Sequence, residues 1–223
     1  MTMSAPVDLP GLYERRFTGE AAFRNAMWRI LCRSFFQKHV DPRATVVEVG
    51  AGHCEFINHI NAARRIAVDL STDTRHYAAP GVEVVTTAST DLSAISDGTA
   101  DVAFASNFFE HLSRPDILAT LREIKRVLTP NGRLLILQPN IRYCYRDYWM
   151  FFDHITPLDD RSLVEALEMS GFSAVTVIPR FLPFTTKSAL PKSLLLLRIY
   201  LAIPLLWRIL GAQSFVAARP TQS

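Results

Sequence analysis

The β-branched run Ala44 to Val49 ends in Glu48-Val49-Gly50-Ala51-Gly52-His53-Cys54. The next apolar run, Arg65 to Leu70, closes on Asp69, 21 residues past Glu48. Glycines straight after a strand let the backbone approach a ligand where a Cβ would clash. A carboxylate at the end of the second strand is placed to accept hydrogen bonds from ribose hydroxyls. A dinucleotide fingerprint needs a third glycine at position 55, where this chain has Glu55. With Glu48 as a second carboxylate at the strand end, the loop suits a cationic ligand better than a pyrophosphate. Two histidines, His111 beside Glu110 and His154 beside Asp153, are candidates for a general base. The plainer reading of each is a hydrogen-bonded structural histidine. His53, His39, His59 and His76 read most simply as solvated. The stretch Asn140 to Phe152 (NIRYCYRDYWMFF) suits a sugar or aromatic acceptor, with Tyr143 and Tyr145 as faces and Arg142 or Arg146 as an anion partner. A packed cap over the sheet edge is the plainer alternative. No His, Cys or acidic residues stand at metal-ligand spacing, so no metal is expected.

These residues hang on an alternating pattern. Strands are predicted at 44–49, 65–70, 82–87, 101–106, 133–138, 174–178 and 214–218. Helices are predicted at 23–40, 55–63, 115–128 and 160–170, the third opening on Pro115 and the fourth ended by Gly171. Thr129-Pro130-Asn131-Gly132 reads as a turn. Apolar strands separated by helices specify an α/β fold with a mostly parallel sheet covered on both faces. Ligands of such sheets sit beyond the carboxyl ends of the strands, where the glycines, Asp69, His111 and the aromatic stretch all fall.

Five ordered segments resemble the class I S-adenosylmethionine-dependent methyltransferases, collinear from about Tyr13 to Arg180. VVEVGAGHCEF (46–56) is similar to the family's first motif, with Cys54 in place of its last glycine. AVDLS (67–71) resembles the ribose-binding motif. DVAFASNFFEHL (101–112), LREIKRVLTPNGRLLILQPN (121–140) and FDHITPLDDRSLVEALEMSGF (152–172) resemble the small-molecule branch. The resemblance implies a Rossmann-like, doubly wound, seven-stranded sheet with an antiparallel last strand. It implies S-adenosylmethionine as cofactor, with Gly50, Ala51 and Gly52 along its methionine part and Glu48 near the ammonium. Asp69 would take the ribose hydroxyls, Leu70 the adenine face, and Asn107 the methionine moiety. Ala88 stands where the family often has an acidic adenine partner, leaving Ser89, Thr90 or Asp91 to substitute. The implied reaction is in-line methyl transfer, in which positioning the acceptor supplies most of the catalysis. O-methylation of a small-molecule, sugar or lipid-linked glycan acceptor with a histidine base is expected. Quinone-like lipid intermediates are an alternative, and a non-catalytic S-adenosylmethionine-binding or scaffold protein is a reading of a different class. The strand end SNFFEH lacks an N/D-P-P-Y/F signature, so a nucleic-acid substrate is not expected. Tyr13 to Phe17 could close over the cofactor or stand as a charged arm.

The composition, 49% hydrophobic and 20% charged in 223 residues, excludes disordered and low-complexity classes. Six of the 24 basic residues follow Glu168, the last of the 21 acidic ones, so the chain up to Glu168 sums to −3 and the remainder to +6. That basic tail holds the insert 181–210, which carries four basic and no acidic residues. Leu194 to Leu210 is too short and too charged to span a membrane. Pro204 should break it into two short helices. Such a segment fits an interfacial element on an anionic membrane, or equally a cap on the sheet or the seam of a homodimer. The chain divides into an N-terminal helical arm (1–43), a cofactor-binding core (44–180), the insert (181–210) and a last strand with its tail (211–223). Three scattered cysteines and the absence of a signal-peptide pattern predict a cytoplasmic protein, peripheral at the inner face of the membrane if the insert docks there.

Overall fold

A computed structural model describes residues 21–184 and 193–221. The proposed arm contact at Tyr13 to Phe17, and Lys187 and Lys192 of the insert, lie outside the described residues. The elements are α1 (Ala21–Ser34), β1 (Thr45–Val49), β2 (Arg64–Asp69), α2 (Thr74–Tyr77), β3 (Val82–Thr86), β4 (Ala100–Ser106) and α3 (Arg114–Val127). They continue with β5 (Leu128–Pro139), α4 (Ile141–Cys144), α5 (Asp160–Met169), β6 (Phe172–Leu182), α6 (Leu194–Ala202), α7 (Pro204–Leu210) and β7 (Gln213–Pro220).

The seven strands form one sheet in the order β3-β2-β1-β4-β5-β7-β6. β1 to β5 run parallel to one another, and β7 is antiparallel to both β5 and β6. The order reverses at β1, so the carboxyl ends of β1 and β4 border the crevice where a ligand of such a sheet sits. Alternate strand residues feed two apolar layers. Val46, Phe104, Leu135 and Phe215 face α1, the turn Phe36–His39 and the inner sides of α6 and α7. Val47, Ala103, Ile136 and Val216 face α3 and α5 through Ile117, Leu121, Leu163 and Leu167. Ser113 caps α3, and Asp159 with Ser162 forms a capping box on α5, which fixes where both helices start.

Three expectations are corrected. Residues 52–60 form a run of turns, not a helix over 55–63, because two local demands oppose the helical ladder. Cys54 lies at φ 56°, and the Ile57 N–H is diverted to Glu48 Oε2 at 3.0 Å. The Thr129–Gly132 turn is absorbed into β5 as a register shift, with Leu128 paired to Ala100 and Arg133 to Val102. His39 is not solvated. It packs against Phe35 and Phe215 with ring centroids 5.5 and 5.2 Å away, and burial pushes its pKa down to about 4.

Candidate active site

The glycine turn is built by β2. Gly50 and Ala51 both donate their N–H to Val68 O, at 2.9 and 3.0 Å, which swings the chain across the end of the neighbouring strand. Gly50 and Gly52 have φ of 71° and 47°. Cys54, standing where the motif would have glycine, keeps the glycine-like backbone. Its thiol is buried and pushed up to about 12 by burial, so it is no nucleophile. The two glycines serve different ends. A Cβ on Gly50 would lie 2.2 Å from Phe108 Cδ2, so the chain's own ring fills that space; a Cβ on Gly52 would meet nothing. Only Gly52, which is exposed, leaves room for a ligand.

Asp69 holds this turn together. Its Oδ2 accepts the Gly52 N–H at 2.7 Å and its Oδ1 the Ser71 N–H at 2.8 Å, leaving lone pairs on each oxygen for an outside donor. Leu70 beside it is 71% exposed, an apolar platform with no protein cover. Glu48 is buried under the turn, and burial pushes its pKa well above the carboxylate range. Ala51 is buried, Thr90 half-buried and Asp91 exposed. The Asp91 carboxylate accepts the Ser93 N–H at 3.1 Å, while Ser89 pairs with Thr120 on α3, which commits it to the fold. Asn107, at φ 47° past β4, donates its N–H to Leu137 O at 2.8 Å and exposes its side chain.

Beyond Asn107, the turn Phe109–His111 meets the loop after α4. The Glu110 carbonyl accepts the N–H of Ile155 at 2.9 Å and of Thr156 at 3.1 Å, drawing the two segments together. His111 Nδ1 then sits 3.2 Å from the Asp153 carboxylate and 3.1 Å from the Asp153 carbonyl. This pairing favours the proton on Nδ1 and makes Nε2 the acceptor. His154 is buried, with its ring 5.0 Å from that of His111 and 4.7 Å from that of Tyr148. Glu110 is buried too and pushed above the ordinary range by burial, while its Oε2 accepts from Gln138 Nε2 at 3.0 Å. Each of Glu110, His111 and His154 brings one ligand-capable atom within 4.8 Å of the others. The spacing along the chain does not reveal this grouping, which the folded-back loop creates.

The chain was compared with known proteins. A search of curated proteins found no match. Residues 47–136 match the family model of the methyltransferase domain. That match spans β1 to the middle of β5, the part of the sheet that carries the glycine turn, Asp69 and Asn107. Solved structures with the same fold include an S-adenosylmethionine-dependent methyltransferase from Archaeoglobus fulgidus, 22% identical, covering 95% of this chain and 100% of that one with a TM-score of 0.68. Another, from Aquifex aeolicus, is 17% identical, with 94% and 97% covered and a TM-score of 0.61. The geranyl diphosphate C-methyltransferase from Streptomyces coelicolor A3(2), solved with Mg2+, geranyl diphosphate and S-adenosylhomocysteine, is 14% identical, with 85% and 77% covered and a TM-score of 0.60. S-adenosylmethionine is the cofactor on which the first two of these proteins depend. The residues present suit it: an open glycine turn, a carboxylate with free acceptor capacity beside an exposed apolar residue, and a buried acid for an ammonium.

The aromatic stretch 140–152 divides by its contacts. Arg142 Nη1 pairs with Asp160 at 2.9 Å, and Tyr143 lies between the guanidinium groups of Arg142 and Arg180 at 5.2 and 4.6 Å. Arg142 therefore tethers α4 to α5. Tyr145 and Arg146 are exposed and bonded to each other at 3.1 Å. Sequence reasoning missed Phe108 as the lid on Gly50; its signal was the aromatic pair directly after Asn107. It also missed the bidentate ion pair of Arg24 with Glu55, which ties α1 to the turn that follows the glycines.

Proposed function

We propose that this chain O-methylates a small-molecule, sugar or lipid-linked glycan acceptor, with S-adenosylmethionine bound over Gly52, Asp69, Leu70 and Asn107 and with His111 as the general base. Ala51, Thr90 and Asp91 complete the proposed cofactor wall, with Glu48 beneath it. The reading is carried by one observation: His111 is oriented by Asp153 through Nδ1, so that Nε2, 3.9 Å from Glu110 Oε1, is the ring's acceptor for a hydroxyl proton of an acceptor whose oxygen would take the methyl group as its bond to the sulfonium sulfur breaks. His154, the other candidate base, packs behind His111 as a positioning residue. Tyr145 and Arg146 suit contact with a sugar ring or its anionic substituent, whereas Arg142 and Tyr143 act through the framework. The glycine-like backbone kept at Cys54 speaks for a working cofactor turn over a decayed scaffold.

The test is transfer of a radiolabelled methyl group from S-adenosylmethionine into lipid and sugar-nucleotide extracts. His111→Ala should lower transfer roughly 100-fold or more, the usual scale of a general base, with cofactor binding by calorimetry unchanged. Asp153→Asn should lower it less and shift the pH profile of the rate. Full transfer by His111→Ala would remove the base from this reading. Cofactor binding without transfer into any fraction would favour the non-catalytic reading.

A further inference from the structure

The insert between β6 and β7 is two-faced. Its inner side is core: Tyr200 is buried and donates its hydroxyl to Phe181 O, and Trp207 Nε1 donates to Tyr200 O at 2.8 Å. Arg180 closes the far end, donating to Gly211 O at 2.7 Å and Ile209 O at 2.5 Å. The outer side is where a helix on a water-facing surface carries polar residues. Here it carries Leu195, Leu196, Ile199, Ile203, Leu205 and Ile209, all exposed, with Leu195 at 66% and Leu205 at 63%. Arg198 and Arg208 stand exposed among them. A second exposed apolar group adjoins the acceptor site: Trp149, Met150, Ile155 and Phe152, the last 94% exposed. Phe184, just past β6 at the start of the insert, has its ring 6.0 Å from Phe151 and 6.3 Å from His154, which joins the insert to this loop.

We propose that the outer sides of α6 and α7, with the 149–155 loop, lie on the headgroup–acyl boundary of a bilayer containing anionic lipid, so that the acceptor site opens at the membrane surface. Charge selects this occupant over a second copy of the chain. No acidic residue follows Glu168, so a symmetric seam would set Arg198 and Arg208 against the same arginines with no acidic partner from this part of the chain. An anionic headgroup layer supplies that partner, while the aliphatic side chains and Trp149 enter the interface. Spanning is not available: no helix among the described residues is long and apolar enough to cross a membrane, and α6 and α7 have nine and seven residues. If the acceptor is lipid-linked, which rests on the function proposed above, it would be methylated with its anchor still in the bilayer.

Flotation of the purified full chain with phosphatidylcholine vesicles, and with vesicles also containing phosphatidylglycerol, tests the surface without needing cofactor or acceptor. The chain should float with the anionic vesicles, less with the neutral ones, and less again at high salt. The triple variant Leu195→Gln, Ile199→Gln, Leu205→Gln keeps Tyr200 and Trp207 in the core. It should partition about tenfold or more weakly at an unchanged Tm. Arg198→Gln with Arg208→Gln should remove only the preference for anionic vesicles. Failure of the folded chain to float on either vesicle, or flotation unaltered in the triple variant, overturns the proposal. A dimer in sedimentation that the triple variant abolishes, without vesicle binding, assigns the surface to a second copy and also overturns it. Loss of flotation leaves methyl transfer to extracted acceptors untouched, so the two readings fail separately.

Discussion

At the scale of single residues, the glycine pair after β1 holds two different constraints. Gly50 answers to Phe108 and to its own backbone. Gly50→Ala would press a methyl group to within 2.2 Å of the ring at a φ of 71°, so we expect it to destabilise the chain by about 2–4 kcal/mol in urea unfolding. Adding Phe108→Ala should recover the part due to the ring; a double variant no more stable than Gly50→Ala alone would show that the backbone carries the whole cost. Glu48 gives a prediction of a different kind. Burial favours its neutral form in the free protein, and a cofactor ammonium beside it would favour the charged form. The complex then holds fewer protons than the free chain, so cofactor affinity should rise with pH across the interval between the two pKa values. Glu48→Gln still offers an oxygen to the Ile57 N–H, so it should fold, bind more weakly and lose that rise. Calorimetric titration of both proteins from about pH 5 to pH 8 reads it, and a profile equally steep in Glu48→Gln would rule out Glu48 as the group responsible.

At the scale of elements, what was legible and what was not follows from range. The strands and the helices α3 and α5 announce themselves by local period and by caps, and their predicted bounds lie close to the observed ones except at β5, which starts five residues earlier, and β6, which ends four residues later. The predicted helix over 55–63 fails because a side chain on β1 takes one of its N–H groups, nine residues away and invisible to a periodicity reading. The site shows the same limit. Gly52, Asp69 and Asn107 are positioned by the ends of single strands, so their place could be read from sequence. The pairing of His111 with Asp153 spans 42 residues and depends on the Glu110 carbonyl holding Ile155 and Thr156. Sequence neighbourhood joined Asp153 to His154; the fold joins it to His111. Arg142, an anion-ligand candidate by its residue type, also has a partner the sequence spacing does not show, Asp160 on α5.

At the scale of the whole molecule, the opposed charges of body and tail describe a chain whose basic end is built into its core. α1, the first helix described, and α6–α7, near the end, cover the same face of the sheet, where Trp28, Phe36, Phe181, Tyr200 and Phe215 form one apolar layer with Trp207 packed against it. The Phe35 ring lies 4.0 Å from that of Phe181 and 5.8 Å from that of Trp207, so the residue just after α1 contacts β6 and α7 directly. The insert is therefore coupled to the sheet and should not melt separately. Trp207→Ala removes the indole from that layer and its hydrogen bond to Tyr200 O. We expect it to lower stability by about 2–3 kcal/mol, toward the lower end for an aromatic truncation because Trp207 is only half-buried. The loss should appear as one cooperative transition at lower denaturant, with the same midpoint by far-UV circular dichroism and by protease resistance of the insert. A Trp207→Ala protein whose insert is cleaved early while its main transition stays in place would show that the outer apolar helices fold as an appendage. Their membrane-facing side would then be presented by a mobile arm, not by the rigid body that also carries the acceptor site.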